Sequence, residues 1–367
     1  MVYSETEARA LVIRAGRRLT ESGLIARTWG NISARISDAR FVITPSGLAY
    51  ETLRPEQLVV VNLATCAYNP QEGTPSSEKG IHDDVYRLRP EVQFVIHTHQ
   101  ELASVAGIAG KDLTGCHSAL LGDLVPCAGY GMPSTKTLRR AVAAAAVEHP
   151  DSPAILMMRH GALCLGRDME HAFALADALE RCCAARVGPD NGQPAAADYG
   201  SSTRHGARFC LRLGDGAHWY DVNGTGLPPV AALHAGIYRS GDALCIRHER
   251  DAAVTAVSHA GKTLHPYLDD LAQIAGTTVR CAAADSHSTV HRLRGRNAVL
   301  LRGEGALCTG ANPEDTEAVC LILKKGCRAQ LYADTHPGCK PLPRADAELQ
   351  RLIYTKQYAR RKEQSEC

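Results

Sequence analysis

The sequence predicts an α/β or α+β protein in which one core with a central sheet is built twice in tandem. Three observations predict it. Short apolar runs that suit buried strands alternate with longer stretches of helical periodicity. The segment Gly161-Ala162-Leu163-Cys164-Leu165-Gly166 returns as Gly305-Ala306-Leu307-Cys308-Thr309-Gly310, each time after an apolar run and before a helix-like stretch (168–186 and 312–332). Upstream, Ile81-His82-x-x-Val85-Tyr86-Arg87 returns as Leu233-His234-x-x-Ile237-Tyr238-Arg239, in the same order and at similar spacing.

In the first copy, Ser4 and Glu7 stand at capping-box spacing and open a helix over 4–22. Apolar, β-prone runs place strands at 41–44, 57–62, 92–98 and 154–160, with further helices at 77–88 and 134–148. Gly188-Pro189-Asp190-Asn191-Gly192-Gln193-Pro194, then alanines and Gly200-Ser201-Ser202, has the composition of a linker. The domains are therefore expected at 1–187 and 204–336, joined by a linker at 188–203 and followed by a polar helical tail at 337–367. The second copy is shorter ahead of its His234 helix, so counterparts of much that precedes residue 75 are expected to be missing.

A formal net charge of +2 gives no electrostatic reason to expect nucleic acid or an anionic membrane surface. The one basic run, Arg360-Arg361-Lys362, reads as a solvated helix end. No apolar stretch approaches the ~20 residues of a membrane span, and no signal peptide is visible. A cytoplasmic location is expected. The 14 cysteines lie in apolar settings without a CxxC pair, and read as small buried thiols rather than disulfides or a zinc ribbon.

Val92 to His99 is an apolar run that ends in His97-Thr98-His99. Side chains alternate along a strand, so His97 and His99 face the same way and can share one ion. His160 ends another apolar run and is the third candidate ligand. Three neutral imidazoles leave a coordination position open, as a catalytic metal site requires. Glu78 follows Pro75-Ser76-Ser77 at a loop-to-helix junction, where backbone N–H groups favour an anion. The loops Thr28-Trp29-Gly30-Asn31-Ile32-Ser33 and Thr44-Pro45-Ser46-Gly47 offer small polar side chains and glycine-permitted backbone suited to wrapping a phosphate.

Taken in order, Gly30-Asn31-Ile32-Ser33, Ile43-Thr44-Pro45-Ser46-Gly47, Pro75-Ser76-Ser77-Glu78, His97-Thr98-His99 and Arg159-His160-Gly161 resemble the class II aldolase/adducin family, in its L-fuculose-1-phosphate aldolase branch. The resemblance implies a three-layer α/β/α fold with a central, mostly antiparallel sheet. It implies that His97, His99 and His160 hold a divalent metal, in the first place Zn2+, although imidazole also suits Mn2+, Co2+ and Fe2+. Gly30, Asn31, Ser46, Gly47, Ser76 and Ser77 would hold the phosphate or another terminal anion of a small substrate. Glu78 would move the proton of a metal-stabilised enediolate, with its pKa raised by burial. Tyr130 matches a tyrosine that protonates the leaving aldehyde at a neighbouring subunit's site. The implied activity is carbon–carbon cleavage of a sugar phosphate or hydroxy-keto acid. Decarboxylases of the family share the ligands, its epimerases carry Asp where this chain has Glu78, and adducin is a non-catalytic scaffold.

Aligned on the repeats, Arg247 and Glu249 are expected at the positions of His97 and His99, Glu304 opposite His160, Val230 opposite Glu78 and Ala284 opposite Tyr130. Arg247 would then pair with Glu249 or Glu304, and the second domain would not bind the metal. A duplicated chain is expected to form a homo-oligomer, two chains closing a pseudo-fourfold ring of alternating live and degenerate domains.

Overall fold

The computed structural model describes residues 2–25, 29–190 and 192–365, with side chains through Lys356. Thr28, Asn191 and the side chains of Arg360, Arg361 and Lys362 lie outside the described residues. The chain separates into two compact units, Met1–Gly188 and Pro189–Cys367.

Unit 1 runs through α1 (Glu5–Glu21), β1 (Asn31–Ser37), β2 (Arg40–Ile43), β3 (Val59–Asn62), α2 (Lys79–Leu88), β4 (Phe94–Thr98), α3 (Glu101–Gly107), β5 (Leu113–Ser118), β6 (Gly122–Val125), β7 (Cys127–Ala128), α4 (Lys136–Glu148), β8 (Ala154–Met157), β9 (Gly161–Gly166) and α5 (Met169–Val187). Seven strands form one sheet in the order β3-β2-β1-β4-β9-β8-β7. Every pairing in it is antiparallel except β7 with β8. Helices cover both faces, which gives the three layers.

Alternation along the central strands assigns each residue to a layer. On one face Ile32, Ala34, Phe94, Ile96, Ala162 and Cys164 pack with residues of α1, α3 and α5, including Val12, Ala103 and Phe173. On the other, Val95, Leu163 and Leu165 pack with Ile81, Val85 and Tyr86 of α2 and with Leu138 and Val142 of α4. The second face also receives polar side chains. Asn31, Ser33 and Arg35 of β1 are buried there, and so is His97, two residues beyond Val95. Arg35 lays its guanidinium over the Tyr86 ring at 4.8 Å and donates to the carbonyls of Tyr86 and Val92.

Unit 2 comprises β10 (Ser201–His205), β11 (Arg208–Leu213), β12 (Gly216–Asp221), α6 (Pro229–Ser240), β13 (Cys245–Glu249), α7 (Ala252–Ala260), α8 (Asp269–Ile274), β14 (Cys281–Ala282), α9 (Ser286–Leu293), β15 (Ala298–Leu301), β16 (Gly305–Gly310), α10 (Pro313–Thr335) and α11 (Arg344–Ser365). Its sheet order, β12-β11-β10-β13-β16-β15-β14, repeats that of unit 1 strand for strand.

Several expectations change. The glycine-bounded repeats, which carry no predicted element of their own, are strands β9 and β16. The expected loss ahead of residue 75 is smaller than predicted, because β10, β11 and β12 replace β1, β2 and β3. Among the described residues, what unit 2 lacks in that stretch is a helix equivalent to α1. Strand β10 begins at Ser201, inside the expected linker. The tail is not merely an appendage: Gln350 of α11 donates to Asp269 at 2.6 Å, and Arg351 donates to the carbonyls of Gln273 and Ile274. Finally, Cys116 of β5 and Cys182 of α5 form a disulfide, which corrects the reading of all cysteines as thiols. Sequence spacing concealed the pair because the two residues meet only through the fold, 66 residues apart. No helix among the described residues is long and apolar enough to cross a membrane.

Burial of His234 lowers its pKa from 6.5 to about 4. Between those values the unfolded chain binds a proton that the folded unit refuses, so stability is lost as pH falls. The urea midpoint of unit 2 should therefore drop between pH 6.5 and 4, by up to ~1.4 kcal/mol per pH unit from this group. His234→Gln should flatten that slope; an unchanged slope would show that His234 is not responsible.

Candidate metal centre and its surroundings

The β4 strand carries His97 into the α2 face, and His99 lies just beyond its end. Strand β8 stops at Met157, three residues earlier than the apolar run suggested. His160 instead closes the tight turn into β9, its N–H donating to the Met157 carbonyl at 3.0 Å. Arg159 occupies the left-handed region in that turn, at φ 66°. The three imidazoles converge, with ring centroids 4.7 to 4.9 Å apart and ligand nitrogens within 4.8 Å of one another.

Backbone shape makes the convergence possible. A Cβ on Gly161 would lie 2.1 Å from the Thr98 carbonyl oxygen, between the two ligand-bearing segments. A Cβ on Gly30, which has φ 100°, would lie 2.5 Å from the carbonyl oxygen of His97. Only glycine permits both approaches. The Ala162 carbonyl accepts from Nδ1–H of His97 at 3.0 Å, the kind of backbone contact that fixes a tautomer and leaves the other ring nitrogen to an ion. The donor set of three imidazoles fits a divalent transition metal.

Glu78 is the residue before α2, and it is buried without capping that helix. Its carboxylate turns toward the histidines, with Oε1 3.1 Å from His160 Nε2 and Oε2 3.4 Å from His97 Nε2. Asn31 Nδ2 donates to Oε2 at 2.9 Å. Burial pushes the carboxyl pKa up, but the two imidazoles and the Asn31 amide together hold it well below the usual carboxylate range. The expected upward shift is therefore reversed. The resting group is a carboxylate.

The anion-loop candidates are brought together beside this centre. The loop read as 28–33 gives way to strand β1 at Asn31, and it is joined to the next loop by Ile32 N–H donating to Thr44 Oγ1. Ser46 N–H donates to the Thr74 carbonyl and Ser76 N–H to the Thr44 carbonyl, so the Ser46-Gly47 and Ser76-Ser77 loops are zipped side by side. Ser76 Oγ accepts from Glu78 N–H, while Ser77 Oγ lies 2.7 Å from Ser134 Oγ. Ser77 and Glu78 also border a cavity of about 250 Å³, together with Lys79, Lys136 and Arg139. Tyr130 does not join the cluster in the same way: its ring lies 5.2 Å from the guanidinium of Arg159, beside His160.

Sequence reasoning missed what lies behind Glu78. His82, fully buried, had served only as a repeat marker. Its Nε2 meets Asn31 Oδ1, its Nδ1 lies 2.6 Å from Ser33 Oγ, and Ser33 Oγ lies 2.8 Å from the Tyr86 hydroxyl. The Ile81-His82-x-x-Val85-Tyr86 spacing, one helical turn between the two polar residues, was the available signal.

Strand register corrects the alignment of the second copy. His97 pairs with Leu163 in unit 1, and His248 pairs with Leu307 in unit 2. His248, not Arg247, therefore occupies the position of His97; Glu249 replaces Thr98 and Arg250 replaces His99. Both ring nitrogens of His248 engage backbone, one accepting from Tyr199 N–H and the other donating to the Glu304 carbonyl. Nor does Arg247 pair with Glu249 or Glu304. It meets Glu317 of α10, while the Glu304 carboxylate accepts from Ala197 N–H.

The family described as Class II Aldolase and Adducin N-terminal domain matches twice, over residues 10–187 and 209–331. A 5-deoxy-D-ribulose 1-phosphate aldolase of Bacillus thuringiensis serovar kurstaki is 32% identical over 177 residues, covering 47% of this chain and 81% of that protein. An L-fuculose phosphate aldolase of Haemophilus influenzae is 31% identical over 180 residues, covering 48% and 81%. Among solved structures, an L-fuculose 1-phosphate aldolase is similar at 28% identity and a TM-score of 0.45, covering 48% of this chain and 82% of that one.

Gly161→Ala should cost ~1–3 kcal/mol by forcing β9 away from Thr98, and weaken metal retention with it. Thermal unfolding with and without added Zn2+ checks this. An unchanged Tm would show that the turn has room to spare.

Proposed function

Since the chain belongs to the class II aldolase and adducin family, we propose that unit 1 is a divalent-metal-dependent carbon–carbon lyase acting on a small ketose 1-phosphate. The observation that carries this reading is the buried Glu78 carboxylate, set against His97 and His160 and beside the zipped anion loops. His97, His99 and His160 would hold the ion, which supplies Lewis-acid polarisation of the substrate oxygens when bound.

The protein's own groups then divide the work. The hydroxyls of Ser46, Ser76 and Ser77, with the backbone at Gly30 and Gly47, bind the phosphate and orient the chain of the sugar, while the N–H groups of Ser46 and Ser76 hold the two loops together. The Glu78 carboxylate exchanges a proton with the carbon next to the carbonyl. In the condensation direction it takes that proton and passes it to the new hydroxyl. In cleavage it takes the hydroxyl proton from the carbon that becomes the aldehyde and delivers it to the carbon left behind, so one proton leaves oxygen and one reaches carbon. Glutamate at this position favours lyase over epimerase. In a homo-oligomeric ring of alternating live and degenerate domains Tyr130 faces unit 2, and Ala284 stands where unit 2 would offer a tyrosine to unit 1, so the aldehyde oxygen is served by a group other than Tyr130. Unit 2 lacks both the carboxylate, at Val230, and two of the three imidazoles, so each chain carries one centre.

Purified protein should hold about one equivalent of divalent metal per chain, and His97→Ala less than ~0.2. Equal metal in both would remove the triad from the mechanism. Glu78→Gln should keep the metal and lose ~10²-fold or more in aldehyde release from L-fuculose 1-phosphate or 5-deoxy-D-ribulose 1-phosphate. Turnover close to that of the unaltered protein in this variant would count against Glu78 as the proton carrier.

A further inference from the structure

The cluster behind Glu78 appears in both units, but with a different outlet. In unit 2, Ser202 Oγ lies 2.6 Å from His234 Nδ1 and 2.6 Å from the Tyr238 hydroxyl, as Ser33 does with His82 and Tyr86. The remaining nitrogen of His234, Nε2, lies 2.9 Å from the Tyr199 carbonyl oxygen. A carbonyl oxygen only accepts, so Nε2 carries the proton and Nδ1 accepts from Ser202. Unit 2 thus fixes the tautomer of a site whose geometry unit 1 shares.

Carried to unit 1, that tautomer determines the direction of every hydrogen bond. The Tyr86 hydroxyl donates to Ser33, Ser33 donates to His82 Nδ1, and His82 Nε2–H donates to Asn31. The atom of Asn31 facing His82 must then be the oxygen, and its NH2 must face Glu78. Strand register places Gly200 where β1 has Asn31, and Val230 stands where α2 is preceded by Glu78. Where the carboxylate is absent the amide is absent too, and the histidine turns to backbone instead.

We propose that His82 is a positioning residue for Glu78: its Nε2–H locks the Asn31 amide, whose NH2 holds the carboxylate at the metal centre. This rests on the reading of Glu78 as the proton carrier and deepens it. An Asn amide unpinned on its far side is able to flip and present its oxygen to the carboxylate, which repels it. Burial pushes the His82 imidazole down to about 3, so it stays neutral and keeps this tautomer across the working pH range. The Ser–His–Tyr part, present in unit 2 without any catalytic group beside it, is the structural share of the cluster. The bond from His82 to Asn31 is the functional share.

Two measurements on the full chain test this. In 15N-histidine-labelled protein, His82 and His234 should both appear as neutral Nε2–H tautomers, and His82→Leu should shift the Asn31 side-chain NH2 resonances. An Nδ1–H tautomer at His82, or an unmoved Asn31, would overturn the proposal whatever the reaction proves to be. For catalysis, His82→Leu should lower kcat on L-fuculose 1-phosphate ~10- to 100-fold at unchanged metal content and with little change in KM. His82→Gln, which restores a donor, should recover most of that rate. His234→Leu, the same lesion in unit 2, should lose comparable stability and keep kcat. A kcat for His82→Leu that falls only as far as metal content or stability does, or falls equally in His234→Leu, would overturn it. If the unaltered protein cleaves neither L-fuculose 1-phosphate nor 5-deoxy-D-ribulose 1-phosphate, the proposed function fails, and the tautomer and Asn31 resonances alone decide the hydrogen-bond geometry.

Discussion

A polar side chain buried between a sheet and a helix must find a partner, at a cost of about 1–3 kcal/mol if it does not. Strands β1 and β4 bury four of them on one face: Asn31, Ser33, Arg35 and His97. Helix α2 answers three. Tyr86 and its carbonyl serve Arg35, the Tyr86 hydroxyl and His82 serve Ser33, and His82 with Glu78 serves Asn31. The helix cannot shift along the sheet without breaking several of these bonds at once. Glu78, at its start, is therefore fixed relative to His97 before any ion or substrate arrives.

Much of this could be read from the sequence because the relevant signals are local. The His97-Thr98-His99 alternation, the loop-to-helix junction at Glu78 and the doubled Gly-Ala-Leu-Cys segment each lie within a few residues. What escaped depends on contacts between distant segments. The pairing of His248 with Leu307 sets the second copy's register, and a slip of one residue moves every side chain to the opposite face. Reading Arg247 as the successor of His97 made that slip. Similarly, Asn31-Ile32-Ser33 looks like a polar turn because its polar residues face inward, toward partners 47 to 53 residues away. The Cys116–Cys182 bond and the depressed pKa of Glu78 arise the same way, from neighbours that only the folded chain supplies.

The two units separate what both need for the fold from what unit 1 alone carries beside it. Both retain the strand order and the Ser–His–Tyr cluster between sheet and helix. Unit 2 retains one of three imidazoles, and there both nitrogens are taken by backbone groups. A single histidine saturated in this way has no lone pair to offer an ion. Losing Asn and Glu together avoids a harsher outcome, since an amide facing an apolar valine would leave a buried donor unsatisfied.

The turn between the last two antiparallel strands shows the difference on a smaller scale. Arg159 adopts a left-handed backbone at φ 66°, a conformation that costs a side-chain-bearing residue about 1 kcal/mol or more. Its counterpart in unit 2 is Gly303, at φ 76°, where no such cost arises. One copy keeps a guanidinium against Tyr130 in a tense turn, and the other has relaxed. Duplication thus let one chain hold both a taut and a slack version of the same hinge. The slack copy shows the same turn closed by the one residue that carries no side chain to strain it.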